Sequence, residues 1–309
     1  MKAMSSEISI SFAATDSFSR HLAVVLVSVL KNNQQDRFVF HVLHRNISEF
    51  NQALLKSTAE KWRNGRIVFH KVDIEVFATA PLPSPHISVE SYFRLMLPKI
   101  LVDESRTLYL DVDILCCKGI RELWETNLDG FACAAVSEEM YPKGSLLHFA
   151  RPEASERQEY FNAGVMLFNL DYIRANGLES VPFDILETWT EKIGYADQDV
   201  LNLAYHGKVK FISRKFNFMG KWGPERVYSP VVIRHFASFS QKPWNCKMMR
   251  FTWIPYAWHL AHSSYRRELA GFVLEHLRAF LYWKYSKNGR PCLDLFGFKV
   301  WHGDYSWRR

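Results

Sequence analysis

The sequence predicts an α/β fold with a mostly parallel central sheet, followed by a basic, aromatic, helical region at the C-terminus. Three observations carry this. Strand-like and helix-like segments alternate along the first half of the chain, the pattern of a parallel α/β sheet. Two later segments, 131–136 and 165–170, are apolar enough to be buried strands. The charge is lopsided: residues 240–309 hold 12 of the 39 Lys+Arg but only 4 of the 32 Asp+Glu, a net of +8 in a chain of net +7, and six of the ten tryptophans. The expected organisation is one α/β domain over 1–245 and a basic, aromatic region over 246–309.

The elements follow in order. Residues 8–12 (I-S-I-S-F) alternate as a strand, and Thr15-Asp16-Ser17 is the polar turn after it. Residues 20–31 read as a helix with a broad apolar face. Residues 38–43 alternate again. Ser48 is a helix cap, and the helix runs to about Arg63. Asn64-Gly65 is the turn before a third strand at 67–72. The run P-L-P-S-P at 81–85 breaks the pattern, and 92–100 is a short helix. Residues 106–110 form a strand that ends in Asp111-Val112-Asp113. Residues 138–160 are polar and irregular, as an active-site loop would be. Helices are expected at 181–193 and 197–206, and a strand at 231–235. Over 264–285, Leu269, Phe272, Val273, Leu277 and Phe280 recur at helical spacing, flanked by Arg266, Arg267, Arg278 and Lys284, which reads as an amphipathic basic helix.

Composition excludes several classes. In 309 residues, 48% hydrophobic and 23% charged is a globular mix. Five cysteines, an odd and small number, exclude a disulfide scaffold. Cys116-Cys117 adjacent and three lone cysteines give no zinc spacing. No segment reaches the roughly 20 apolar residues of a membrane span. The run 22–30 follows Asp16, Arg20 and His21 and lacks a cleavage site, so it makes a poor signal peptide. A cytoplasmic protein with reduced thiols is expected. The basic tail suits an anionic surface, but its confinement to one end and the lack of any nucleic-acid motif argue against nucleic acid as partner.

Four motifs can carry chemistry. Asp111-x-Asp113 lies just past the carboxyl end of an apolar strand, the edge where parallel α/β sheets bind substrates. Two carboxylates two residues apart call for a cation, and hard oxygen ligands suit Mg2+ or Mn2+. His235 ends another strand and a neutral imidazole can complete such a site; Lys242, seven residues on, can meet a phosphate as a point charge. In F-N-A-G-V-M-L-F-N at 161–169, Gly164 permits close backbone approach, and Asn162 offers a donor and an acceptor to hydroxyls. Asp197-Gln198-Asp199 precedes an apolar pair, where a helix N-terminus also favours acidic residues.

The ordered set F-A-A-T-D at 12–16, Y-F-R-L at 92–95, L-Y-L-D-V-D at 108–113, F-N-A-G-V-M-L-F-N-L at 161–170, D-Q-D-V-L-N at 197–202 and H-F-x6-K-P-W from 235 resembles the family 8 glycosyltransferases, and within them the bacterial lipopolysaccharide and lipooligosaccharide galactosyl- and glucosyltransferases. The resemblance implies a GT-A-type, Rossmann-like nucleotide-binding domain that takes a UDP-hexose with Mn2+ or Mg2+ and transfers with retention to a lipopolysaccharide core or related glycan. It makes Asp111, Asp113 and His235 the metal ligands. It implies a donor-binding set of Ala13, Ala14, Asp16, Arg94, Asp111, Val112, Asp113, Asn162, Ala163, His235 and Lys242, with Glu138, in Ser137-Glu138 where a sugar-contacting Asp is common, substituting with a longer reach. It places Asp197 and Gln198 beside the donor sugar as the catalytic pair. Thr15 and Ser238 depart from the family pattern, so the uridine contacts and the loop before Lys242 are expected to differ.

No carboxylate stands out as a nucleophile, which favours same-face attack over a double displacement. The basic tail fits an anionic membrane surface and implies a peripheral enzyme on the cytoplasmic face of the inner membrane. The competing readings are a haloacid-dehalogenase-type phosphatase, whose D-x-D would follow an earlier strand, and a non-enzymatic protein that binds anionic glycan or nucleic acid.

Overall fold

A computed structural model describes residues 7–84, 87–138, 142, 144–157, 159–220, 231–238, 242–245, 253–287, 290–295 and 298–302. The chain divides into two compact units, Met1–His235 and Phe236–Arg309.

The first unit is an α/β layer structure on a seven-stranded sheet. Its strands are β1 Ile8–Ala13, β2 Phe38–His44, β3 Gly65–Lys71, β4 Arg106–Leu110, β6 Cys133–Ser137, β7 Phe161–Asn169 and β8 Val209–Phe211, in spatial order β3-β2-β1-β4-β7-β6-β8. The pairings β2–β3, β1–β2, β1–β4 and β6–β8 are parallel. Only β7 runs against its neighbours. That reversal sets the beginning of β7 beside the end of β4. A two-stranded sheet pairs β5, Ile114–Cys116, with β9, Ile233–His235.

Local signals account for most of these elements. All six residues of β1 and all seven of β2 are buried, as strands covered on both faces should be. Helix Ser19–Asn32 buries an unbroken run from His21 to Leu30. Its Ser28 hydroxyl accepts from Cys116 N at 3.0 Å, which ties β5 to the helix. Ser48 caps helix Glu49–Trp62 by accepting from Asn51 N, and Arg63 closes it at φ 61°.

The structure departs from expectation where segments are short. The helix expected at 92–100 is a 3-10 helix, Val89–Met96, followed by one α-turn, Leu97–Ile100, with Pro98 as its second residue. The stretch 138–160 contains the short helices Leu146–Ala150 and Glu153–Glu156. Strands β5 and β8, three residues each, are too short for a period to register.

In the second unit, helices Trp253–His262 and Leu269–Leu281 precede a three-stranded antiparallel sheet of β10 Tyr282–Lys287, β11 Arg290–Leu295 and β12 Phe298–His302. The expected helix over 264–285 therefore stops at Leu281. Tyr282, Trp283 and Tyr285 favour strand, and Asn288-Gly289 is the dipeptide that hairpins prefer. Tyr256 and Phe272 stack at 5.0 Å between ring centroids, and His276 Nε2 lies 2.9 Å from Pro243 O.

Candidate active site

Two strand registers assemble the site. Leu110 is paired with Val165, and Asp111 N donates to Gly164 O at 2.8 Å, so Asp111 lies against Gly164. Ile114 is paired with His235, so Asp113, one residue before, lies against the imidazole. His235 Nε2 is 3.3 Å from Asp113 Oδ1 and 3.8 Å from Asp111 Oδ2. Among the described residues this is the only group of three or more acidic, His or Cys side chains whose ligand atoms come within 4.8 Å of one another.

Gly164 tests whether a cation fits. A Cβ there would fall 2.3 Å from His235 Cε1 and 2.8 Å from Asp111 Oδ2, and would crowd the space between these two side chains. Glycine leaves it open. Two carboxylates and an imidazole form a hard, oxygen-rich donor set of the kind Mn2+ or Mg2+ takes. The residues fit the group.

Arg94 lies beneath the cluster. Its Nη2 donates to Asp111 Oδ1 at 2.8 Å, its Nε is 2.9 Å from Asp197 Oδ2, and its Nη1 donates to Ala163 O. Its guanidinium lies over the Tyr109 ring, 4.1 Å from the centroid. Burial works against its charge, yet Asp111 and Asp197 more than offset that, and its pKa is raised. Asp111 is left with Oδ2 facing His235. Burial pushes the Asp197 carboxyl up to about 6 against the pull of Arg94. Ala196, just before it, sits at φ 49°. A non-glycine residue there costs about 1–3 kcal/mol, a strain that tends to collect at functional sites.

Asn162 and Gln198 are locked together. Gly164 N donates to Asn162 Oδ1 at 3.0 Å, and Ala163 N donates to Gln198 Oε1 at 3.0 Å. Asn162 Nδ2 donates to the same Gln198 oxygen at 3.2 Å. Ala13 and Ala14 are buried at the end of β1. Asp16 Oδ1 accepts from Ser48 N, Ser48 Oγ and Asn51 Nδ2, so it secures the entry of helix Glu49–Trp62; the Asn51 bond, chiefly, lowers its pKa. Val112 is half-buried between the two acids. Glu138 N donates to Tyr160 O at 2.8 Å, beside the start of β7. Lys242 belongs to the second unit, where its ammonium donates to Ala237 O at 3.5 Å.

Sequence reasoning singled out neither Asn217 nor Tyr160. Asn217 is fully buried, and its Oδ1 is 2.9 Å from His235 Nδ1. Tyr160 donates its hydroxyl to Asp199 at 2.9 Å. Neither residue stands in an ordered motif, so only folding reveals them.

A GT-A-like sheet with an acidic pair at the end of its fourth strand defines a nucleotide-sugar glycosyltransferase fold. Residues 9–247 match the profile of glycosyl transferase family 8, and the chain belongs to that family. It is 28% identical over 254 residues to a lipopolysaccharide 1,3-galactosyltransferase of Salmonella typhimurium, covering 77% of this chain and 73% of that protein. It is likewise 28% identical to a lipopolysaccharide 1,2-glucosyltransferase of Escherichia coli, over 67% of this chain and 61% of that one. The crystal structure of the galactosyltransferase LgtC, in complex with donor and acceptor sugar analogues, superposes with a TM-score of 0.69 at 28% identity, covering 83% of this chain and 96% of that one. The phosphatase and non-enzymatic readings fall away.

Proposed function

We propose that this chain moves galactose or glucose from a UDP-hexose to a lipopolysaccharide core or related glycan, with Mn2+ or Mg2+ and with retention of configuration. The observation that carries this is the Asp111–Asp113–His235 cluster at the carboxyl end of β4. The relatives named above, whose sugars and acceptors are of this kind, support the substrate class.

The three side chains would hold the cation, which when bound supplies positive charge to a diphosphate leaving group. Arg94 orients Asp111 and offsets the charge of Asp197. Ala13, Ala14 and Asp16 serve the nucleoside, Val112, Ala163 and Glu138 line the donor, and the family resemblance assigns Lys242 to the diphosphate. Asn162 and Asp197 face the transferred sugar. Gln198 Oε1 accepts from two N–H groups, which engages both its lone pairs and counts against attack by the amide oxygen. That supports same-face attack, with the departing phosphate taking the acceptor proton.

The second unit supports attachment to an anionic bilayer surface on the cytoplasmic side. No helix among the described residues is long and apolar enough to cross a membrane. On helix Leu269–Leu281, Phe272 and Ala279 are buried, while Leu274, Leu277 and Leu281 are exposed beside Arg278. An apolar face with a cationic border suits a headgroup layer.

The deciding experiment incubates the purified protein with Mn2+ and either UDP-glucose or UDP-galactose and measures UDP release with and without acceptor. One of the two donors is expected to turn over. Asp113→Asn is expected to reduce turnover to background at an unchanged melting temperature. Full activity in that variant would overturn the metal assignment.

A further inference from the structure

Asn217 meets His235 at Nδ1, whereas Asp111 and Asp113 lie at Nε2. This asparagine follows the 3-10 turn Arg214–Phe216, and strand β9 holds this segment by Phe218 N to Ile233 O and His235 N to Phe218 O, both at 3.0 Å. Asn217 Nδ2 donates to Asn162 Oδ1 at 2.9 Å, and Asn217 Oδ1 lies 2.9 Å from His235 Nδ1.

The orientation of these amides follows from the backbone. Gly164 N–H can only donate, so the Asn162 atom it meets is the oxygen. Asn217 must then present its NH2 to that oxygen, which turns its own carbonyl toward His235. Ala163 N–H fixes Gln198 in the same way, and Gln198 Oε1 holds the NH2 of Asn162. A carbonyl facing Nδ1 requires a proton on Nδ1. In the neutral imidazole that leaves the Nε2 lone pair aimed at Asp111 and Asp113, the tautomer in which Nε2 can ligate a cation. Flipping Asn217 would set two carbonyl oxygens against each other in a fully buried place.

We infer that Asn217 is a positioning residue that presets the metal-binding tautomer of His235, through a relay of amides anchored on two backbone N–H groups at the start of β7. The inference rests on the metal reading given above. It also links the sugar-facing pair Asn162 and Gln198 to the metal ligand His235 by hydrogen bonds alone.

The test measures Mn2+ binding by electron paramagnetic resonance of the free ion, on the parent chain, Asn217→Leu, Asn217→Asp and Asp113→Asn, each checked for folding by thermal melting. Asn217→Leu, close in size and unable to accept, is expected to bind about 10- to 100-fold more weakly, the usual effect of removing the partner of a metal-bound histidine. Added Mn2+ should recover part of its activity, so the half-saturating metal concentration rises by a larger factor than kcat falls. Asn217→Asp keeps an acceptor against Nδ1 but loses the NH2 that donates to Asn162 Oδ1, so it is expected to weaken binding clearly less than Asn217→Leu does. Leu and parent binding equally, or Leu and Asp weakening equally, overturns the inference while Asp113→Asn still loses the metal. A parent that binds no Mn2+, or an Asp113→Asn that binds it fully, overturns the metal reading and this inference with it. Should Asn217→Leu fail to fold, the nitrogen shifts of His235 in the 15N-labelled parent with Mg2+ bound decide: a protonated Nδ1 is expected, and a protonated Nε2 with bare Nδ1 overturns it.

Discussion

Two aspartates two residues apart in D-Q-D do different work. Asp197 meets Arg94 at the site. Asp199 is fully buried and holds the scaffold around it. Its Oδ1 accepts from Leu146 N and the Tyr160 hydroxyl, and its Oδ2 accepts from Gly194 N and Tyr195 N, at 2.8–3.0 Å. One carboxylate thus joins the 138–160 stretch, the start of β7 and the entry of helix Ala196–Ala204. Asp199→Ala would leave four donors without an acceptor. A loss of about 3–5 kcal/mol in urea unfolding is expected, since each stranded donor carries its own desolvation cost; a change within experimental error would contradict the assignment. The motif read from sequence located both aspartates at a helix N-terminus, but which one turns to the site depends on contacts far away in the chain.

At the level of elements, register decides function. Had β7 paired with β4 one residue out of step, every side chain of β7 would swap faces, and Gly164 would no longer lie under the cluster. The same strand order brings a buried histidine on β2 against a half-buried one on β3: His41 Nδ1 lies 2.9 Å from His70 Nε2. Burial, with His70 and Arg66 adding to it, lowers the His41 pKa to about 4. The folded chain therefore favours neutral His41, whereas the unfolded chain takes up a proton near pH 6.5. Between those values the unfolded state binds more protons, so stability falls as pH is lowered from about 6.5 toward 4. Melting temperatures recorded across that window should show this slope, and His41→Gln should flatten it. An unchanged slope would place the proton uptake elsewhere. The period-2 spacing of 38–43 announced the strand, but not that His41 is covered.

For the whole molecule, charge separates the two parts of the chain: the net +7 is concentrated in the last 70 residues. Arg266 and Arg267 are exposed on the turn before helix Leu269–Leu281. Near an anionic leaflet each such residue is worth about 1 kcal/mol, and salt screens the effect. Co-flotation with phosphatidylglycerol vesicles at low salt is expected for the parent and should weaken about tenfold or more in Arg266→Glu/Arg267→Glu. Equal flotation of both would leave the second unit with a packing role only.

The sequence by itself determined the sheet-and-helix alternation, the family and the acidic pair at a strand end. Each is written in local periods and short ordered motifs that survive without a partner in space. Tertiary structure alone decided that Asp16 secures a helix entry, that Arg94 braces Asp111 against Asp197, and that Asn217 faces His235. It also decided that the C-terminal helix gives way to a three-stranded sheet. These outcomes rest on hydrogen bonds and pairings between residues far apart or on elements too short to carry a period, and such contacts have no local signature before the chain closes on itself.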